Sequence, residues 1–473
     1  MRSIQRLCSI AAILLLLLAS NSYSQITLTS GTGLISQPAG VVTEIVKKSG
    51  ITEASLVNTL QSHERVTMYS YIDGFGRPLQ SIIAAGSPNG KDIIQFSKYD
   101  EFGRATKSYL PFEASTTNGT YQERSTAESN QASFYTTNTT TNKVAYDTKP
   151  WAQSEIEQSP MQRMLKQGSV GNNFQTDQHY QMILYRTNES DDNSINGGVR
   201  KWSVDGTSSG NYSANDLMVT EAVDDGSDSD PGRTIVFTDK IGRVILKRQK
   251  NGSDYFDTYD VYNLSGNVSY VIPPKAVARL NSISTWNVSS VPNLVFSYKY
   301  DAKGRVTEKK VPGAGVVYIV YDPLDRVVLV QDAKMRTSNK WFYTKYDSRF
   351  RSITEGIYTD ATHTSLSSMQ SYVDGLSCYG SGTTYYEKRS SSASPWYTND
   401  CFPTSGTEER LYYYYDDYDF DNNGTADLSY TSEGLTGEGT ATGKTLGILT
   451  GVKTKILGST NDWLISYTFY DKR

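Results

Sequence analysis

The sequence predicts an all-β fold: an array of antiparallel β-hairpins with a few short helices. Three observations carry this reading. A phrase of aromatic residue, Asp, two variable residues, Gly and Arg recurs, as in Tyr99-Asp100-Glu101-Phe102-Gly103-Arg104 and Tyr300-Asp301-Ala302-Lys303-Gly304-Arg305. Marked by its Asp or Asn, the phrase falls at Asp73, Asp100, Asp239, Asn263, Asp301, Asp322, Asp347 and Asp471, with gaps of 21 to 27 residues between several neighbours. That period suits one hairpin per repeat. Finally, 35 tyrosines among stretches rich in Thr, Ser, Val and Gly favour strands and turns over helices.

Each part of the phrase has a physical reason. The residues before the mark are apolar or aromatic, as in Val316-Val317-Tyr318-Ile319-Val320-Tyr321, which is strand chemistry. Asp takes the first turn position, where its carboxylate accepts backbone N–H bonds. Gly three residues later supplies positive φ at low cost. Arg opens the return strand and is placed to stack on a tyrosine of the neighbouring repeat. Some copies depart from the pattern. Asp325 stands at the Gly position of one copy, which an Asp tolerates. Phe350 stands there in another, so that turn is expected to differ. The Asn263 copy keeps Gly266 but has Asn267 in place of Arg.

The elements follow in chain order. Residues 1–24 read as a signal peptide: Arg2 and Arg6, then an apolar run centred on Leu14 to Leu18, then Ser22-Tyr23-Ser24 before an expected cleavage at Gln25. The run is shorter than the roughly 20 residues a membrane span needs, so no span is expected after cleavage. Residues 25–236 form an expected N-terminal β-rich domain. Within it, Ile51 to Ser62 suggests a short helix, Ser115 to Asn142 a surface loop, and Trp151 to Lys166 a helix interrupted near Pro160. Residues 237–356 hold the densest repeats, 357–445 a Tyr-, Ser- and Gly-rich insertion, and 446–473 a resumed repeat. The last copy, Tyr470-Asp471-Lys472-Arg473, lacks its Gly-Arg, which suggests the front part of a longer protein.

Several longer phrases stand beside the repeats: Tyr109-Leu110-Pro111-Phe112, the run Ser159 to Gly168, Tyr270 to Ala276, and Lys309 to Gly315. Together with the repeats they resemble the YD repeats and N-terminal region of large exported bacterial proteins of the Rhs family, over most of residues 60–473. The resemblance implies a hairpin ribbon that curls into a hollow shell, a non-catalytic structural role, and a family setting of toxin encapsulation and delivery. It implies further shell repeats and a toxin cargo as partners. The expected location is exported, secreted or on the outer cell surface. A second reading is an adhesion or carbohydrate-binding module in which Tyr412 to Tyr415 and Trp396 stack on surface glycans.

Candidate sites are few. Asp419, Asp421, Asn423, Thr425 and Asp427, with Gly424 between them, match the front of a calcium loop, with Thr425 binding through its carbonyl. Position 12 is Tyr430 instead of the usual Glu, so Ca2+ and a solvated acidic turn both remain open. Cys378 and Cys401 can form one disulfide in an exported chain or stay two thiols. His63, His179 and His363 show no metal spacing, and no Gly-x-Ser-x-Gly elbow occurs, so no catalytic residue is assigned. The formal charge of -4 and the lack of a basic stripe argue against nucleic-acid binding.

Overall fold

The computed structural model describes residues 24–29 and 38–471, apart from 49–50, 52–56, 58, 62, 138–143, 191, 193–197, 226–231, 381–384, 393–394, 435–438 and 460–461. The expected signal segment lies outside these residues except for Ser24, and the helix expected over Ile51 to Ser62 lies largely outside them.

Antiparallel strands dominate. A first sheet takes β1 (Ser24–Thr29), β2 (Ala39–Val46), β3 (Arg65–Ile72), β4 (Pro78–Ile83) and β5 (Ile93–Phe96) in order. β6 (Lys107–Tyr109) leaves for the next sheet, and β7 (Phe112–Glu113) returns to pair with β5. Helix α1 (Arg124–Thr136) covers this sheet and buries Ala127 and Gln131 beside Phe112. The loop expected over Ser115 to Asn142 is therefore partly helical. The segment's polar composition hides the helix, because one of its two buried contacts is an amide: Gln131 Nε2 donates to the Leu110 carbonyl at 2.5 Å.

A single antiparallel ribbon forms the rest. It runs β6, β8 (Trp151–Ile156), β9 (Met164–Gly168), β10 (Tyr180–Thr187) and, past a separate hairpin of β11 (Arg200–Trp202) and β12 (Ser208–Asn211), into β13 (Met218–Val223). It continues through β14 (Arg233–Thr238), β15 (Val244–Asn251), β16 (Asp254–Tyr262), β17 (Val268–Ile272), β18 (Phe296–Tyr300) and β19 (Val306–Lys310). Then come β20 (Val317–Tyr321), β21 (Val327–Gln331), β22 (Lys340–Tyr346), β23 (Ser352–Thr359), β24 (Thr407–Tyr415), β25 (Leu449–Lys455) and β26 (Trp463–Tyr467). Among the described pairings β26 meets only β25 and β6 only β8, so the ribbon is open.

Two expectations need correcting. Trp151 to Lys166 is not a helix but the β8–β9 hairpin, with Pro160 in its turn. Trp151 packs on Tyr109 of the neighbouring strand at 5.7 Å, a cross-strand contact that outweighs local helix propensity. The 357–445 segment does not interrupt the array throughout: β23 runs to Thr359, and β24 within that segment pairs with both β23 and β25.

The core is a series of clusters under the ribbon. One lies beneath β13 to β17, where helix α2 (Pro274–Ser282) inserts Ala276, Val277 and Leu280. Pro274 at its first turn gives up an N–H that has no helical partner there. Beyond the short turn α3 (Ala333–Arg336), a second cluster lies under β20 to β23. Helix α4 (Leu366–Asp374), started by a Ser365 capping box, inserts Met369 and Val373 into it. Tyr412, Tyr414 and Phe420 form a smaller cluster at β24.

Candidate functional site

The repeat phrase builds one turn again and again. In the Asp301 copy the Asp301 N–H donates to the Arg305 carbonyl and the Gly304 N–H to the Asp301 carbonyl, both at 3.0 Å. Asp301 Oδ1 accepts the N–H groups of Lys303 and Arg305, and Oδ2 accepts Arg305 Nε at 2.6 Å. Gly304 has φ 80°, and the strand register shifts just before the turn, between Lys299 and Tyr300. This is a type I turn closed by a positive-φ residue and a bulge. The Asp73, Asp100, Asp239, Asp322 and Asp347 copies repeat the same Oδ2 to Arg Nε bond.

Neighbouring copies are stitched by a tyrosine. The hydroxyl of Tyr321 donates to the Val306 carbonyl, one residue past Arg305, and the Arg305 guanidinium lies 4.5 Å from the Tyr321 ring centre. The same pairing joins Arg77 to Tyr99, Arg243 to Tyr262, Arg326 to Tyr346 and Arg351 to Tyr415. Where Arg is missing, at Asn267, the bond from the Tyr300 hydroxyl to the Val268 carbonyl remains at 2.8 Å. The extra residue in Tyr71-Ile72-Asp73 turns Tyr71 into the core of the first sheet, where its hydroxyl bonds the Gly119 carbonyl.

The departures from glycine have a common cause. In three copies the fourth turn residue sits beside the Arg of the copy before it: Gly103 beside Arg77, Asp325 beside Arg305 and Phe350 beside Arg326. Asp325, at φ 64°, accepts Arg305 at 2.7 Å and Lys303 at 2.8 Å. Phe350, at φ 63°, places its ring 5.2 Å from the Arg326 guanidinium. The Asp347 turn was expected to differ because of Phe350. It does not: Phe350 N–H donates to the Asp347 carbonyl and Asp347 N–H to the Arg351 carbonyl, as in the glycine copies.

Three copies escape a reading by motif. Glu157 replaces Asp across a longer turn and binds Arg163 through both carboxylate oxygens at 2.9 Å. Those bonds, led by Arg163, hold the Glu157 carboxyl down to about 2. Ser203 to Thr207 keeps only the backbone bonds and Gly206. The third is split: Asp416 N–H donates to the Ile448 carbonyl and Gly447 has φ 88°, so residues 417–446 are an excursion inside one turn. Ile448 stands where Arg is expected, and Asp416 instead accepts Arg351 at 2.8 and 3.0 Å. A Tyr-Asp followed by Gly thirty-one residues later gives no local signal.

The acidic loop predicted for calcium lies in that excursion. Asp419, Asp421 and Asp427 each bring a carboxylate oxygen within 4.8 Å of the others. Asp419 accepts the N–H groups of Asn423 and Gly424, and Asp427 accepts that of Phe420 at 2.5 Å. Asn423 Oδ1 accepts the Thr425 N–H and hydroxyl. Burial pushes the Asp419 carboxyl up, but the Gly424 and Asn423 N–H groups outweigh it and leave it below the usual range. Phe420 anchors the loop: its ring stacks on Tyr414 at 4.3 Å and Tyr467 at 4.9 Å, lying over Gly451.

The remaining candidates are structural in their surroundings. Tyr412 and Tyr414 are buried, the Tyr415 hydroxyl bonds the Ser352 carbonyl, and Tyr413 faces Glu355, so this run is packed into the sheet and is not an open platform for sugars. Trp396 is half-buried, with Lys453 5.0 Å from its ring centre. His179 and His363 each meet a carboxylate, Asp225 at 2.7 Å and Asp360 at 2.8 Å. His363 also stacks on Tyr372 at 4.1 Å, and His63 is exposed.

A family model described as Domain of unknown function (DUF6443) matches residues 43–187. No curated protein matches the chain. Among solved structures, TcdB2-TccC3 aligns at 13% identity with TM-score 0.47, over 95% of this chain and 21% of that one. TcdB2-TccC3 without its hypervariable C-terminal region aligns at 13% identity and TM-score 0.45, over 92% and 20%. The TcdB2-TccC3-Cdc42 structure gives 13% and 0.43, over 93% and 20%. The chain thus spans about a fifth of the length of these neighbours.

Proposed function

We propose that this chain is a non-catalytic wall segment of an exported Rhs-type shell, in a setting of toxin encapsulation and delivery. The observation that carries it is the ladder. The Asp, Arg and Tyr of the repeats bind the turn itself or an adjacent hairpin, so the chemistry of the motif goes into joining strands. The resemblance of the repeats and the longer phrases to Rhs-family proteins supports further repeats and a cargo as partners. Reading the coding DNA beyond codon 473 tests this: it should continue into hairpins of the same phrase and then a C-terminal cargo. Unrelated intergenic sequence would overturn the encapsulation reading.

The acidic loop carries a second proposal. Calcium is held by Asp419, Asp421, Asn423 and Asp427 with the Thr425 carbonyl, and braces the excursion that splits the Asp416 copy. The oxygen donors suit a hard cation. Calcium titration should raise the melting temperature of the intact chain, and Asp421→Ala should abolish the rise. An equal response in both proteins, or none in either, would remove the metal.

A further inference from the structure

We infer that Cys378 and Cys401 are an oxidation site whose disulfide clamps the segment between β23 and β24 onto the ribbon. Cys378 lies in the turn Ser377–Tyr379 just after α4, and Cys401 precedes the core residue Phe402. Their sulfurs are 2.7 Å apart, near the S–S bond length of about 2.05 Å.

The surroundings hold this pair in place from both sides. On the Cys378 side, Gln370 of α4 accepts the Tyr321 N–H at 3.0 Å and donates to its carbonyl at 2.7 Å. On the Cys401 side, buried Glu387 accepts the Cys401 N–H at 3.0 Å and the Asp400 N–H at 2.9 Å. Glu387 is itself paired with buried Lys345 of β22 at 2.9 Å. The two thiols differ in access: Cys378 is half-buried and Cys401 buried. The Cys401 contact brings the Cys378 thiol down to about 7, whereas that same contact, and after it burial, push Cys401 up. Cys378 is therefore the thiol that meets an oxidant first.

The reaction balances with a small disulfide such as oxidised glutathione. The Cys378 thiolate attacks one glutathione sulfur, forming a mixed disulfide and releasing one glutathione thiolate. Cys401 then gives up its proton, attacks the Cys378 sulfur and releases the second glutathione. The two cysteines are oxidised, and one glutathione disulfide is reduced to two thiols.

The test uses the whole chain treated with oxidised glutathione, denatured without reductant and labelled with a maleimide. The expected mass carries no label, and peptide mapping finds Cys378 joined to Cys401. Adding dithiothreitol to the native protein should then speed proteolysis within 385–405 by about tenfold or more. In a C378A variant cleavage should be fast with or without reductant. Two labelled cysteines after oxidation, or a bridge to glutathione alone, would overturn the clamp. So would a bridged protein whose cleavage in 385–405 ignores the reductant, a readout that needs no variant to fold.

Discussion

Asp322 and Arg326 show how much one repeat asks of two residues. The Asp322 side chain is 0% exposed and that of Arg326 9%, and their bond is 2.7 Å. Asp322→Ala would strand the guanidinium, and removing one partner of a buried pair costs about 3–5 kcal/mol. The urea midpoint should drop accordingly, and much less for Asp100→Ala, whose pair is more open. Gly451 matters for a different reason. A Cβ there would meet the Phe420 ring and the Ser466 carbonyl at 3.1 Å. Gly451→Ala should displace Phe420 and with it the acidic loop, seen as faster cleavage within 417–434 while the N-terminal sheet stays intact. The turn residues were readable because Asp and Gly act locally. Asp325 was only half readable and Phe350 was misread, because the reason for each residue is the Arg of another hairpin.

Between hairpins the tyrosine ladder sets the coupling. Tyr321→Phe keeps the ring under Arg305 and loses one hydroxyl bond, a cost of about 1 kcal/mol. Tyr321→Leu also loses the cation–π contact, a further ~0.5–1 kcal/mol. Denaturant titration of the two variants separates these contributions. The same turns set the acid limit. At Asp100 the Arg104 N–H and guanidinium hold the carboxyl below its usual range against partial burial. At Asp73, Asp239 and Asp301 burial pushes up, and the equivalent donors outweigh it. A lowered folded pKa stabilises above the unfolded value of about 3.9 and is lost as pH falls through the folded one. Near-UV circular dichroism should therefore hold down to about pH 4 and fade below it. At this scale β20 was evident from its β-branched run, whereas β8 and α1 were not, because the Tyr109 ring that Trp151 packs on and the Leu110 carbonyl that Gln131 bonds lie outside the local window.

Across the whole molecule, each hairpin leans on the one before it, so damage should spread along the ribbon by neighbour contact. Arg326→Ala, in the middle of the ribbon, should increase proteolysis on both sides, within 296–359, and leave residues 65–113 protected. Equal loss everywhere would show one cooperative unit instead. The sequence alone determined the β class, the turn chemistry and the hairpin period, because type I turns, positive φ and strand alternation depend on residues a few positions apart. Only the tertiary structure decided that residues 417–446 lie inside one turn, that Tyr412 and Tyr414 are buried, and that the neighbour on which Arg305 stacks is the following hairpin. Those outcomes depend on which strands lie side by side, and strand pairing joins residues that no short stretch of chain holds together.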